Sequence, residues 1–270
     1  MFQRIKMGII EKVKSLSRFK QLFFQHCYNI KLQYYSQGRT APLVDGLVIY
    51  EYYRFVFNRL GSIFGGDVLI GLIGGSVISR GTEEFVAMCF GNFKQGYGST
   101  EATSCITYSK PDNMSLGSIG GPIPNVEICL LACKDLEYGK YEVVISGPSV
   151  ALGYYKDKKL TDEKFILNPE NGKIYFHTED VVTFNKDGKL GFFDRRINIV
   201  KLKNEKYYSL ANIECRISKC KLVELICAVP SKKSQFLILF IIPNRDCAKK
   251  HLIKNKMAGN DENIEQLIQN

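Results

Sequence analysis

Apolar residues near the start of the chain recur every three or four positions: Phe2, Ile5, Ile9, Val13, Leu16, Phe19 and Phe23, with Lys and Arg between them. That period predicts an amphipathic basic helix, or two short ones, within a helical stretch over residues 1–35. Gln37 to Pro42 reads as a break, and Leu43 to Leu60 as a second helical stretch ending at Gly61. The run Asp67 to Ile73, closed by Gly74-Gly75, has the texture of a buried parallel strand entering a loop. Ser79 is placed to cap a helix that carries Phe85, Val86, Met88 and Cys89 and stops at Gly91. A strand around Phe93 then meets Gly96. Strand, loop, helix, strand, loop is the order of an α/β unit with a parallel sheet.

From Gly117 glycines and prolines punctuate short strands instead: Val126–Leu131, Glu142–Ser146, Ile174–Phe176, Val181–Phe184 and Leu190–Phe193. Asp187-Gly188 between the last two is a hairpin-turn pair. After Asp194-Arg195-Arg196 come Ile197–Leu202, a helix-like segment, and the strands Leu222–Val229 and Phe236–Ile242, the last read as buried. The predicted class is therefore α/β: a partial parallel α/β part over 1–116, a small antiparallel β part over 117–193, and a truncated α+β part over 194–270.

Composition adds limits. The 270 residues are 45% hydrophobic, enough for a real core. Of the net charge of +10, residues 1–40 carry +7, so the basic character belongs to the N-terminus and no nucleic-acid partner is expected. The N-terminal helix has three readings: a surface helix with its apolar face inward, a membrane-surface helix formed by residues 1–25, or a mitochondrial-type targeting segment. Nine cysteines without a Cys-x-x-Cys pair read as reduced thiols of an intracellular protein, cytoplasmic or peripheral on the endoplasmic reticulum or another membrane. The three histidines are scattered, and His177 reads as structural.

The chemistry centres on Gly96-Tyr97-Gly98-Ser99-Thr100-Glu101. Two glycines allow close backbone approach to a ligand. The tyrosine offers a flat face and a hydroxyl, Thr100 a hydroxyl for phosphate, and Glu101 a hard oxygen for Mg²⁺. Alone, such a loop is equally a plain turn. Likewise Asp180 and Arg195, taken singly, read as an ordinary surface pair, and Glu101 as a first-turn helix charge.

The order of motifs resolves this, because the chain resembles the adenylate-forming (AMP-binding) superfamily, and the long-chain acyl-CoA synthetases within it. Gly-Tyr-Gly-x-Thr-Glu is that superfamily's motif. Pro42-Leu43-Val44-Asp45, Leu72-Ile73-Gly74-Gly75-Ser76-Val77, Gly117 to Pro124, Gly147-Pro148-Ser149-Val150, Gly153-Tyr154-Tyr155-Lys156-Asp157, His177-Thr178-Glu179-Asp180, Asp187-Gly188 and Asp194-Arg195 follow in family order. The resemblance implies ATP-dependent activation of a long-chain fatty acid to acyl-AMP and transfer to CoA, with ATP, Mg²⁺ and CoA required. It implies that Gly74, Gly75, Gly96 and Gly98 approach the nucleotide by backbone and that Tyr97 packs on adenine. Thr100 would bind the α-phosphate, Glu101 the metal, Asp180 the ribose hydroxyls, and Arg195 would add a cation nearby.

The chain also departs from the family. The Ser/Thr/Gly-rich phosphate loop and the late adenylation lysine have no counterpart in it. Glu179 replaces a glycine, Val77 a proline and Ile197 a polar hinge residue, and Asn204-Glu205 lacks a family glycine. These departures lead us to expect a fragment or degenerate form, weak or inactive alone. The alternative is a non-catalytic nucleotide- or lipid-binding subunit that needs a separate N-terminal chain.

Overall fold

The computed structural model describes residues 1–36, 56–68, 70–75, 78–91, 93–110, 115–136, 138–202, 206–231 and 236–254. The chain divides into two compact units, Met1–Lys134 with Tyr138–Phe193, and Asp135–Glu137 with Asp194–Asn270. The Pro42–Asp45 motif, most of the Leu43–Leu60 stretch, Val77 and Asn204-Glu205 lie outside the described residues.

In the first unit the N-terminal period becomes two helices, α1 (Phe2–Lys14) and α2 (Arg18–Ser36). The apolar stripe of α1 faces inward: Ile9 is buried, and Phe2, Ile5 and Val13 pack on a cluster containing Phe85, Phe90 and Phe93. Burial of that stripe, rather than helix propensity, holds such a helix in place. The cap predicted at Ser79 is present. Its Oγ accepts from Thr82 N (3.3 Å) at the start of α3 (Arg80–Phe90), and Gly91 ends the helix.

Two parallel strands flank α3. They are β1 (Gly71–Ile73) and β2 (Phe93–Tyr97), with Ile73 opposite Gln95. The run Asp67–Ile73 is thus a strand only in its last three residues, and it is not buried throughout: Ile70 and Leu72 are 57% and 58% exposed. Among the described residues β1 pairs with β2 alone, so half of its apolar side chains find no facing layer. Two short antiparallel strands, β3 (Thr107–Tyr108) and β4 (Gly121–Pro122), extend the sheet on the other side of β2.

A five-stranded antiparallel sheet completes the unit: β5 (Glu127–Ala132), β6 (Lys140–Ser146), β7 (Phe165–Leu167), β8 (Ile174–Phe184) and β9 (Leu190–Arg195). The helix α4 (Lys158–Lys164) precedes β7. The stretches Ile174–Phe176 and Val181–Phe184 are one strand here, not two. Glu142 pairs with Val181 and Val144 with His177, so residues 178–180 bulge out of the ladder opposite Val143. A bulge re-aims side chains and weakens the strand pattern in sequence. The Asp187-Gly188 hairpin forms as expected, with Asn185 N donating to Lys189 O (2.8 Å). Beneath the sheet lies a second core of Ile106, Val143, Ile145, Phe176 and Val182, which Tyr97 joins. Strand β2 therefore begins in one core, at Phe93, and ends in the other.

The second unit holds β10 (Ile199–Lys201) and β11 (Tyr207–Ser209), α5 (Leu210–Ile217), the antiparallel pair β12 (Val223–Pro230) and β13 (Leu237–Pro243), and α6 (Arg245–Lys254). The strand predicted over Phe236–Ile242 exists but is not buried. Ile238, Phe240 and Ile242 are 46%, 61% and 54% exposed, because among the described residues the β12–β13 pair has no second sheet facing it. The class is mixed α/β, as the alternation of textures predicted.

Candidate nucleotide site

The loop after β2 is built by backbone contacts. Ile106 N donates to Tyr97 O (2.9 Å) and Ser104 N to Ser99 O (2.9 Å), which folds residues 98–105 into a closed turn around the 3-10 segment Thr100–Ala102. Gly98 lies against the return of that turn: a Cβ there would sit 1.3 Å from Ser104 O. Across the parallel pair, the backbone of Gly74 approaches Gly96, whose carbonyl oxygen would lie 3.4 Å from a Gly74 Cβ. Gly74-Gly75 and Gly96 to Glu101 thus leave the same ends of two parallel strands, the position where open α/β sheets take their ligands.

Tyr97 and Asp180 meet. The Tyr97 hydroxyl donates to Asp180 Oδ2 (2.7 Å), and both residues are buried. The Tyr97 ring is 8% exposed and lies tilted against Phe192, so the face it offers to a base is small. Asp180 stands on the β8 bulge. Thr178 Oγ1 donates to Val143 O (2.7 Å) and accepts from Asp180 N (3.0 Å), fixing the bulge from both sides. Between them Glu179 takes left-handed backbone with φ 57°. Glycine is free of strain in that region, whereas another residue pays about 1–2 kcal/mol. Lys164 Nζ holds Glu179 there by an ion pair of 2.5 Å. His177 pairs with Glu142 at 3.5 Å, beside the same bulge.

Thr100 is exposed at the first residue of the 3-10 turn. Glu101 is half-buried; its Oε1 accepts from the Tyr154 hydroxyl (2.8 Å) and its backbone oxygen from Ala151 N (2.7 Å). Partial burial and the Glu101 carboxylate push the Tyr154 hydroxyl up to about 12, so it stays a donor. Arg195 belongs to the second unit and is exposed. Its neighbour Asp194 is 2% exposed and gathers four donors: Arg195 N, Asn198 Nδ2, Ser209 Oγ and Ala211 N.

These residues fit a magnesium nucleotide. One half-buried carboxylate on a glycine-rich loop suits Mg²⁺, which prefers one or two carboxylates plus phosphate oxygens and water. Ser99 Oγ is buried and makes no hydrogen bond within the protein, leaving a polar atom for a bound phosphate or water to satisfy.

Sequence reasoning missed two buried charged side chains on α3 and β2. Glu83 on α3 is 3% exposed, and its Oε2 accepts from Gly117 N (2.7 Å). Lys94, on β2, is equally buried and donates to the Tyr35 hydroxyl (3.0 Å). Neither residue breaks the periodicity in a way that would mark it. Burial pushes Glu83 from 4.5 up to about 7, against the opposing pull of the Gly117 N–H, Lys94 and Arg80. A carboxyl with a raised folded pKa binds more protons folded than unfolded between those values. The contribution of Glu83 to stability is therefore greatest below 4.5 and should fall by about 3 kcal/mol as pH rises towards 7. Glu83→Gln keeps an acceptor for Gly117 and should flatten that slope. Urea titrations of both proteins across the window check it, and identical slopes would remove Glu83 as the cause.

The AMP-binding enzyme family matches residues 20–155. Fatty acyl-CoA synthetase B of Dictyostelium discoideum is 29% identical over 100% of this chain and 39% of its own length. Long chain acyl-CoA synthetase 4 of Arabidopsis thaliana is 30% identical over 95% of this chain and 38% of its own length. The chain thus spans about two fifths of the curated relatives it matches. The fold is similar to the adenylation domain of a carboxylic acid reductase from Segniliparus rugosus, solved with AMP and a co-purified carboxylic acid (TM-score 0.59, 23% identity, 84% of this chain, 34% of that one). It is also similar to the corresponding domain from Mycobacterium chelonae (TM-score 0.60, 22% identity, 90% of this chain, 36% of that one). The match over residues 20–155, more than half of the chain, together with a glycine loop that meets Asp180 through Tyr97, makes this protein a member of the AMP-binding enzyme family.

Proposed function

We propose that the chain carries the nucleotide-binding part of a long-chain fatty-acid–CoA ligase. In that reaction a fatty carboxylate attacks the α-phosphate of ATP, giving acyl-AMP and pyrophosphate, and the CoA thiol then takes the acyl group as AMP leaves. The observation that carries the reading is the 2.7 Å hydrogen bond between Tyr97 and Asp180, which brings the glycine loop and the bulge into one site. Asp180 accepts from the ribose hydroxyls, as a carboxylate can from two adjacent donors. Thr100 hydrogen-bonds the α-phosphate, and Gly74, Gly75, Gly96 and Gly98 let the backbone come close to the nucleotide. Glu101 would hold Mg²⁺, whose charge offsets that developing on phosphate. The likeness to long-chain acyl-CoA synthetases over nearly the whole chain supports fatty acid and CoA as the other substrates.

Among the described residues no helix is long and apolar enough to cross a membrane. Because the stripe of α1 is spent on the core, membrane contact through residues 1–25 would use Phe19 and Leu22, 78% and 58% exposed beside Arg18 and Lys20.

Calorimetric titration of the 270-residue chain with AMP tests the site. Binding is expected, and Asp180→Asn, which keeps the size of the side chain, should weaken it about tenfold or more. A wild-type chain that takes up no nucleotide, or an Asp180→Asn variant that binds as well, would contradict the reading. Pyrophosphate exchange dependent on a long-chain fatty acid would extend it to the substrate.

A further inference from the structure

The segment Gly153 to Asp157 has one aromatic residue turned out and one turned in. Tyr155 is 89% exposed, whereas Tyr154 packs edge-on against Phe165 (ring centroids 5.5 Å apart). The turn that separates them needs Gly153: its φ is 145°, and a Cβ there would meet Thr161 Cγ2 at 2.4 Å. Thr161 on α4 then fixes the backbone, its Oγ1 accepting from Tyr154 N (2.9 Å) and donating to Asp157 O (2.7 Å). The Tyr154 ring is thus held at its base by α4 and at its edge by the core, and its hydroxyl ends 2.8 Å from Glu101 Oε1.

Residues 149–154 tie the 3-10 turn and the residue after it by three hydrogen bonds. Thr103 Oγ1 donates to Ser149 O (2.7 Å), Ala151 N to Glu101 O (2.7 Å), and the Tyr154 hydroxyl to the Glu101 carboxylate. The first two already fix the backbone of the turn. Only the third acts on the carboxylate, and it engages one of the two oxygens. A side chain with three rotatable torsions is thereby confined to one orientation, with Oε2 left for a second partner.

We propose that Tyr154 is a positioning residue that orients the Glu101 carboxylate towards a divalent cation travelling with the nucleotide. The inference rests on the reading of Glu101 as the metal ligand. A donor behind a ligating carboxylate lowers the entropy lost on binding and is the kind of outer partner whose loss costs about 10–100-fold in metal affinity. The Tyr154 hydroxyl is engaged by Glu101, so the proposed role acts through that carboxylate.

The test measures ATP affinity of the full chain with EDTA and again with Mn²⁺, whose paramagnetism also reports bound metal through water-proton relaxation. The wild type is compared with Tyr154→Phe, Glu101→Gln and the double variant. Tyr154→Phe keeps the ring on Phe165 and removes only the hydroxyl. It should weaken Mn²⁺-dependent binding about tenfold, leave metal-free affinity unchanged, and add nothing once Glu101→Gln is present. Wild-type Mn²⁺ affinity in Tyr154→Phe, or an equal loss with and without metal, would overturn the positioning role. A Glu101→Gln variant that keeps the full wild-type gain in affinity with Mn²⁺, or a wild type without any metal dependence, would overturn the Glu101 reading itself and the inference with it. The two failures are therefore separable.

Discussion

Asp194→Ala is expected to unfold the start of the second unit while leaving the first intact. Asp194 is 2% exposed at the end of β9. Its Oδ1 accepts from Arg195 N (2.8 Å) and Asn198 Nδ2 (3.2 Å), and its Oδ2 from Ser209 Oγ (2.6 Å) and Ala211 N (3.1 Å). Those donors come from the strand end, the 3-10 turn Arg196–Asn198, the end of β11 and the first turn of α5. Ser209 is also the N-cap of α5, accepting from Asn212 N (3.0 Å), so one carboxylate aligns the residue that starts the helix. Alanine leaves Ser209 Oγ without its acceptor in a buried position and the other three donors without theirs in partly buried ones. Each hydrogen bond to a buried charge is worth about 1.5–3 kcal/mol, so even with strong non-additivity the loss should exceed about 3 kcal/mol. Asn at 194 should fare little better, since its amide places a donor against donors. Limited proteolysis reads the outcome: cleavage should concentrate beyond residue 194 in the variant. An unchanged digestion pattern and melting temperature would show that the four contacts carry little.

Gly98→Ala should remove nucleotide binding by breaking the loop itself. The obstacle is steric and lies in the backbone: the added methyl would meet Ser104 O at 1.3 Å and Ser104 C at 2.4 Å. A flexible neighbour could step aside, but Ser104 is anchored by its own hydrogen bond to Ser99 O and lies in left-handed backbone (φ 76°) next to Thr103 (φ 56°). Relief requires opening the turn that carries Thr100 and Glu101. The cost should reach at least the upper end of ordinary overpacking, about 3 kcal/mol. Calorimetry should register no AMP binding, with α1–α3 and the five-stranded sheet keeping their circular dichroism. Wild-type affinity in Gly98→Ala would mean that nucleotide binds elsewhere.

The sequence by itself determined the class and the order of parts. The helical period at Phe2, Ile5, Ile9 and Val13, the cap at Ser79, the turn at Asp187-Gly188 and the glycine loop after β2 are local features, and local sterics and capping write them directly into the chain. The same is true of the family resemblance, which rests on motifs in order. What neighbours decide was not legible. Two predicted strands are one, because the bulge that carries Thr178, Glu179 and Asp180 is defined only by its partner β6. The strand at Phe236–Ile242 looked buried, since its composition says how apolar it is and not whether a layer faces it. The N-terminal period shows that a stripe exists, and only packing shows that Phe2, Ile5, Ile9 and Val13 meet Phe85 and Phe93. The meeting of Tyr97 with Asp180, the hold of Tyr154 on Glu101, and the four donors around Asp194 join residues 83, 53 and up to 17 positions apart. No spacing rule reaches across such distances, because the chain brings those side chains together only after its strands have paired.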